Sequence, residues 1–355
     1  DTKCEFVNVY QDQWAQIANI TIDASQIVNV ASGQYYQFPQ QVTAGITNET
    51  YAFVVNCDEW GKRQEKTKQI TKITSSNIYA TIKESAIIGA SPRPDELNGD
   101  VSLFATNIPG LFYYYQFRDS GYYRLPSAVE GTDTLSSTAD IKPTVNAGFI
   151  ANNEFRGVPE GTSISSTAGQ TIFDWSDAND TGGNIVTNRV TLNTIPPEEI
   201  KIIASCNYSL SDNGIVDFGD QNLSKVTNNR TTTVKKPLTL YMKDCYGVNK
   251  VKTYITNATT TLENGLLLGN TQTTNAATNV AIGINVAASS AKNSENNGSP
   301  IYMDGSNPLE WEFGNKYTVD PISKEIPIDV FLLKSGGEPT TGDFKATATI
   351  MMDFI

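Results

Sequence analysis

Residues 340–355 read TTGDFKATATIMMDFI, and from Phe344 to Phe354 an apolar side chain occupies every second position. The residues between them, from Lys345 to Asp353, are mostly polar. A period of two is typical of a β-strand that presents one face to a core. Neither a turn nor a second strand follows it in the sequence. The pattern therefore predicts a closing strand and raises the question of what pairs with it.

The composition and the other apolar runs predict an all-β protein. The 355 residues include 16 Tyr and 14 Phe together with many Thr, Val and Ile, which are the residue types that strands favour. Strand-like runs recur between clusters of Gly, Pro, Asn and Asp, at residues 26–38, 50–57, 110–117 and 184–193. This spacing is typical of β-sandwiches.

The chain length and one proline-containing segment predict two domains. A chain of 355 residues exceeds the size at which one compact core keeps growing. The segment NTIPPEE (193–199) interrupts the strand pattern, and its two prolines favour an extended connection. We expect a first domain at 1–194, a linker at 195–199 and a second domain at 200–355. An ordinary loop within one domain is the alternative interpretation of the two prolines.

The four cysteines form two well-separated pairs, one in each expected domain. Cys4 and Cys57 lie near the start of the chain, Cys206 and Cys245 lie past its middle, and none forms a C-x-x-C motif. One disulfide per domain, formed in an oxidising compartment, is the simplest interpretation. Two pairs of free thiols in a cytosolic protein are the alternative. The first residue, Asp1, is not Met, so we expect a processed chain whose signal peptide has been removed.

Three features of the composition exclude classes of function. The sequence contains no histidine, which excludes a Ser-His-Asp triad, a His-based zinc site and an imidazole general base. A net charge of −12 argues against nucleic acid or an anionic membrane as the main partner. No apolar run approaches the roughly 20 residues that a membrane-spanning helix needs, so we expect no membrane insertion.

Four motifs follow one another from about residue 200 to the end of the chain. They are Cys206 with VDFGDQ (216–221), an alternating strand into KDC at Cys245, VAIGINV (280–286) and the closing GDFKATATIMMDFI. In this order they resemble the pilin domain of the chaperone–usher fimbriae of Gram-negative bacteria. In that family the last strand has a Gly two positions before an apolar residue and an aromatic residue at the penultimate position. The matching residues here are Gly342, Phe344 and Phe354.

The resemblance implies an incomplete immunoglobulin-like sandwich in the second domain. Such a sandwich lacks one strand, and it leaves an apolar groove and an unpaired sheet edge that are both costly in water. In the family a strand from a periplasmic chaperone fills this groove first, and the N-terminal extension of the adjacent pilus subunit replaces it at the outer-membrane usher. The chaperone also holds the C-terminal carboxylate, here that of Ile355. The expected lining in the closing strand is Phe344, Ile350, Met352, Phe354 and Ile355.

The first half resembles the lectin domains of two-domain tip adhesins, and most nearly the mannose-binding adhesins of type 1 fimbriae. Cys4 stands almost at the start, TYAFVVNC ends on Cys57, and the polar segment DWSDANDTGG (174–183), interpreted as a loop, precedes a last strand. A whole domain takes the place of the extension that ordinary subunits carry, which is the arrangement of a tip adhesin that only receives a strand. The segment after Cys57, WGKRQEKTKQ, departs from the type 1 pattern.

In those lectins the sugar is held by the N-terminal amine, by an acidic residue after the second cysteine, and by polar residues of the loop before the last strand. Carboxylates and amides can hold the paired hydroxyls of a sugar, and an aromatic face can cover its C–H surface. A solvated turn is the alternative interpretation of DWSDANDTGG. The candidates for sugar binding are Asp1, Asp58, Glu59, Trp60, Asp174, Ser176, Asp177, Asn179 and Asp180.

We therefore expect a secreted adhesin at a fimbrial tip, on the cell surface, that binds a host glycan or glycoprotein without catalysis, cofactor or metal. A calcium loop beginning at Asp177 is excluded because Asn188 stands where the twelfth-position acid belongs. Two alternatives stay open: a structural or minor fimbrial subunit whose first domain binds nothing, and a glycoside hydrolase that uses two carboxylates. The aromatic run at 110–124 is either a core strand or a tyrosine-rich binding wall.

Overall fold

The computed structural model describes the backbone over fourteen ranges of the chain and divides the chain into two compact units. Unit 1 comprises residues 1–203 and 317–319, and unit 2 comprises residues 204–316 and 320–355. Side chains are described at 19–38, 78–83, 85–89, 101–114, 148–167, 200–288 and 292–355. The described backbone is 4–7, 13–17, 19–38, 42–44, 54–57, 70–75, 78–89, 100–119, 123–124, 143–167, 171–177, 186–195, 200–288 and 292–355.

The described residues of unit 1 lie mainly in β-strands. Its short helix α1 (Ala24–Ile27) begins after Asp23, whose side chain accepts a hydrogen bond from the Ser25 N–H, and a 3₁₀ turn covers Glu84–Ala86. The strands are β1 (Cys4–Val7), β2 (Gln13–Ile17), β3 (Ile20–Ile22), β4 (Tyr35–Gln37), β5 (Val42–Ala44), β6 (Val54–Cys57), β7 (Ile70–Ser75), β8 (Ala80–Lys83), β9 (Ile87–Gly89), β10 (Asp100–Ala105), β11 (Leu111–Asp119), β12 (Tyr123–Arg124), β13 (Pro143–Ala151), β14 (Thr171–Asp177), β15 (Val186–Ile195) and β16 (Ile200–Ile202).

The largest sheet of unit 1 is buried on both faces at the described residues of β11. Its strand order is β8-β10-β11-β13-β4-β9, with β12 paired to β11. Successive residues of a strand point to opposite faces, and Phe112, Tyr113 and Tyr114 of β11 are all buried. The aromatic run is therefore a core strand over these residues, as one of its two sequence interpretations predicts. The other sheets are β5-β2-β15-β14-β7, β1-β6 and β16-β3.

Unit 2 is a sandwich of two sheets with its main hydrophobic core between them. The larger sheet has the order β17-β18-β24-β22-β21-β20 and the smaller one the order β23-β19-β25. Two 3₁₀ turns, Ser211–Gly214 and Leu223–Lys225, lie between the first two strands. The strands are β17 (Ser205–Leu210), β18 (Val234–Tyr246), β19 (Lys250–Thr256), β20 (Thr261–Leu262), β21 (Leu267–Gly269), β22 (Val280–Val286), β23 (Leu309–Glu312), β24 (Ile322–Lys334) and β25 (Thr349–Phe354).

The core of unit 2 combines apolar side chains from both sheets. Leu240 and Ile326 come from the larger sheet, and Val251, Ile255 and Trp311 come from the smaller one. These positions follow the period-two pattern of their strands, so each sheet turns one apolar face inward. The all-β prediction is confirmed by this architecture.

The disulfide predicted in the second half is present. Cys206 and Cys245 are bonded, and they join the edge strand β17 to its neighbour β18 where the pairing register shifts. Cys245 is completely buried. In unit 1 the backbone pairs Cys4 directly opposite Cys57. Their side chains lie outside the described residues, so that disulfide stays a prediction.

The closing strand is shorter than its sequence pattern predicts. The alternation begins at Phe344, whereas β25 begins at Thr349. The residues before β25 run beside the loop at 270–277 instead, since the Asp343 carbonyl accepts the Ala277 N–H and the Lys345 carbonyl accepts the Thr271 N–H. The expectation of one continuous strand is therefore wrong for residues 344–348.

Candidate functional site

Strand β25 is hydrogen-bonded to a neighbour on one side only among the described residues. It pairs with β19, and the two strands exchange both hydrogen bonds between Lys250 and Ile355. In an antiparallel pair such residues alternate with residues whose N–H and C=O face away from the partner. The outward-facing backbone groups of β25 are therefore those of Ile350, Met352 and Phe354. They form an open sheet edge.

An apolar groove lies between the two sheets of unit 2, beside the start of this open edge. Its volume is about 940 Å³. Leu238, Ile282 and Leu332 of the larger sheet line it, together with Ile255 and Ile350 of the smaller one. The core side chains Leu238, Ile282, Leu332 and Ile255 are buried, so the groove opens directly onto the hydrophobic core. A groove of this kind exposes apolar surface to water, which costs free energy until something fills it.

The groove has two walls along its opening. One is β25 with the residues that precede it, and the other is the segment at 215–222, which follows β17. Val216 and Phe218 are half-buried and pack against the core, whereas Ile215 is 69% exposed although it lines the groove. The local hydrogen bonds of this wall are short-range: the Gly219 N–H donates to Asp217 Oδ1, and no strand pairing is present here in the described part of unit 2. Both walls therefore have main-chain groups without a strand partner.

The side chain of Asn270 holds one end of the groove in place, where residues 343–345 line it. Its Nδ2 donates to the carbonyl oxygens of Ala277 and Asp343 at 2.9 and 2.7 Å. Its Oδ1 accepts from the N–H groups of Gln272 and Lys345 at 2.9 and 3.1 Å. Four hydrogen bonds from one amide hold Asp343 and Lys345 against the loop at 270–277. Phe344, which lies between them, is thereby held in the groove lining.

The predicted lining residues of the closing strand divide into three groups. Phe344 and Ile350 line the groove. Met352 is only 8% exposed and belongs to the core, while Phe354 and Ile355 are 39% and 48% exposed and lie outside the lining. The pairing register explains this difference, because Ile350 lies opposite Ile255 at the groove, and Phe354 lies opposite Val251 toward the other end of β19. The expectation that Phe354 and Ile355 line the groove is corrected accordingly.

Sequence reasoning did not identify the groove residues outside the closing segment at 344–355. Val216 and Phe218 stand two positions apart in VDFGDQ, so their period of two was a usable signal for an apolar wall. Asn270 gave no signal, because its role depends on contacts with residues more than seventy positions later in the chain.

The sugar-binding residues predicted in unit 1 lie mostly outside the described residues. This applies to Asp1, Asp58, Glu59, Trp60, Asn179 and Asp180. The backbone of Asp174, Ser176 and Asp177 is described, and it lies within β14, paired with both β15 and β7. The expectation that a loop begins at Asp174 is therefore wrong, since the strand continues to Asp177. No group of three or more potential metal-ligating acids or cysteines occurs in the described part of the chain.

The family comparison identifies the C-terminal part of the chain. Residues 194–354 match the family model described as Fimbrial protein. This match agrees with the resemblance of the second half to that family. A search of curated proteins returned no match. Among the described residues, no helix has the length and apolar character needed to cross a membrane.

Several solved structures of adhesin subunits are similar to this chain at low identity. The CupB6 tip adhesin of Pseudomonas aeruginosa is 12% identical, with 100% of this chain and 93% of that chain covered and a TM-score of 0.35. The CsuC–CsuE chaperone–tip adhesion subunit complex of Acinetobacter baumannii Csu pili is 10% identical, with 99% of this chain and 100% of that chain covered and a TM-score of 0.34. CfaE, the adhesive subunit of the CFA/I fimbria of enterotoxigenic Escherichia coli, is 10% identical, with 97% of this chain and 98% of that chain covered and a TM-score of 0.30.

Gly342 provides a test of the groove end near residues 343–345. Its φ is +150°, and a Cβ there would overlap the backbone of Asn275 to Ala277. We expect Gly342→Ala to displace the chain before Phe344 and to lower the free energy of unfolding by about 1–3 kcal/mol. Urea unfolding of the full chain measures this loss. Gly337→Ala is the matched control, because a Cβ at Gly337 would meet only the Asn279 side chain, at 3.3 Å or more. Equal losses in the two variants would contradict the prediction.

Proposed function

We propose that this protein is a chaperone–usher tip adhesin whose fimbrial domain receives a β-strand from another polypeptide. The observation that carries the proposal is the apolar groove beside the open edge of β25 in a domain of the fimbrial family. An added strand would pair with the outward main-chain groups of Ile350, Met352 and Phe354. Its alternate side chains would enter the groove, so one segment would satisfy both the hydrogen bonds and the apolar surface.

The proposed partners follow from this geometry and from the family. A periplasmic chaperone supplies the first strand, the outer-membrane usher exchanges it, and the adjacent pilus subunit supplies the final one. The fimbrial domain of this chain is preceded by unit 1, which contains a 7-stranded and a 5-stranded sheet, instead of a short extension. This arrangement supports a subunit that receives a strand without donating one, at the tip of a surface fimbria.

We expect a synthetic peptide with apolar residues at every second position to stabilise the full chain. A ligand at a hundred times its dissociation constant stabilises a protein by about 2.7 kcal/mol, and the shift in the unfolding midpoint measures it. A scrambled peptide of the same composition should give no shift. Stable monomeric behaviour of the free chain, with no response to either peptide, would contradict strand acceptance.

Two neighbouring residues supply a matched pair of variants for this experiment. Ile350 lines the groove, whereas Met351 is exposed on the opposite face of the same strand. Ile350→Asn should weaken peptide binding, and Met351→Asn should leave it nearly unchanged.

The proposed role of unit 1 is to bind a host glycan or glycoprotein. The support for this role is the resemblance of its cysteine and polar motifs to the tip lectins, with Asp58 and Trp60 as the central candidates. A carboxylate that accepts hydrogen bonds from two sugar hydroxyls, beside an aromatic face, suffices for binding without a metal or a covalent step. The alternatives are a spacer unit that binds nothing and a glycoside hydrolase.

A glycan array probed with the full chain and its stabilising peptide tests this role. We expect binding without turnover, and Asp58→Asn should weaken it about tenfold because a charge-assisted hydrogen bond is lost. Glu160→Gln, an exposed residue of the same unit, is the control and should bind normally. Silence across broad arrays would contradict the lectin role and favour the spacer, whereas release of a cleaved sugar would favour the hydrolase.

A further inference from the structure

The rim of the groove in unit 2 carries an excess of negative charge. Four charged residues belong to its lining: Asp217, Asp220, Asp343 and Lys345. All four are exposed, so their charged groups border the opening instead of the apolar floor. Two of the carboxylates stand on the 215–222 wall and the third precedes β25. The rim therefore carries three negative charges against one positive charge.

These three carboxylates have no ion pair within the described residues. The lysines of unit 2 that form ion pairs do so with other acids, among them Lys250 with Glu310 and Glu312, and Lys292 with Glu325. Asp217 accepts the Gly219 N–H, a bond that leaves its charge uncompensated by a cation. The rim thus offers unpaired carboxylates to whatever occupies the groove.

We propose that the strand received by this groove carries lysine or arginine side chains at the positions that alternate with its apolar residues. The proposal rests on the proposed function, because it specifies the chemistry of the same partner. In a strand, alternate side chains face opposite directions, so apolar residues that enter the groove leave their neighbours at the rim. Basic side chains there would lie near Asp217, Asp220 and Asp343, while acidic ones would be repelled.

The physical effect of this rim is mainly selection between partners. Exposed charge pairs contribute little each and are screened by salt, whereas the apolar floor and the main-chain pairing are shared by every alternating strand. Complementary charge therefore changes the ranking of strands and the rate of encounter more than the total affinity. The acidic rim discriminates against an acidic segment with the same apolar pattern.

Three peptides that share one set of apolar residues test the proposal on the full chain. Their intervening positions carry lysine, threonine or glutamate, and fluorescence anisotropy measures each dissociation constant at low and high salt. We expect the lysine peptide to bind about tenfold more tightly than the glutamate peptide at low salt, and this ratio to fall as salt rises. The threonine peptide should lie between them.

Charge-removing variants assign the effect to the rim. The variant Asp217→Asn, Asp220→Asn, Asp343→Asn should bind all three peptides with nearly equal affinity. The matched control Asp304→Asn, Glu310→Gln, Glu312→Gln removes the same net charge outside the groove lining and should keep the preference. Binding of the threonine peptide verifies that each variant is folded.

The outcomes separate this proposal from the proposed function. Equal dissociation constants for the lysine and glutamate peptides, with clear binding of both, would overturn the charge preference and leave strand acceptance intact. A preference that survives in the triple rim variant would also overturn it, because the rim would not be its source. Absence of binding for all three peptides would overturn strand acceptance itself.

Discussion

The one-sided hydrogen bonding of β25 is the constraint on which the rest of unit 2 depends. Ile350, Met352 and Phe354 direct their main-chain groups away from β19, and no described strand meets them there. A strand edge in this state is a ready template for another chain. The apolar groove beside this edge also needs an occupant, because the apolar side chains at its base are accessible to a segment that enters it.

The remaining elements of unit 2 hold the groove and the open edge of β25 in place. The Cys206–Cys245 disulfide anchors the edge strand β17, which leads into the 215–222 wall. Asn270 fastens the chain on either side of Phe344 through four hydrogen bonds. The floor is formed by a core to which both sheets contribute. Because this binding site is already ordered, less conformational entropy is lost when a strand binds.

The sequence was sufficient to predict the features that depend on local periodicity and spacing. The period of two predicted the all-β architecture and the inward face of β25 at Ile350 and Met352, and the cysteine spacing predicted the Cys206–Cys245 disulfide. It could not predict where β25 begins, because the lead-in at Lys345 is bonded to Asn270 and Thr271, far away in the chain. Nor could it predict that Phe354 lies outside the groove, since that depends on its register against β19. In unit 1, the polar composition of residues 174–177 suggested a loop, whereas pairing on both sides keeps them in a strand.

Residue-resolved hydrogen exchange of β25 is the most direct test of an open edge that accepts a strand. In the free protein the amides of Ile350, Met352 and Phe354 should exchange faster than those of Met351 and Asp353, which face β19. Addition of an alternating apolar peptide should slow the first three and change the other two little. Uniform protection along β25 before the peptide is added, or no slowing of the three outward amides afterwards, would contradict the account.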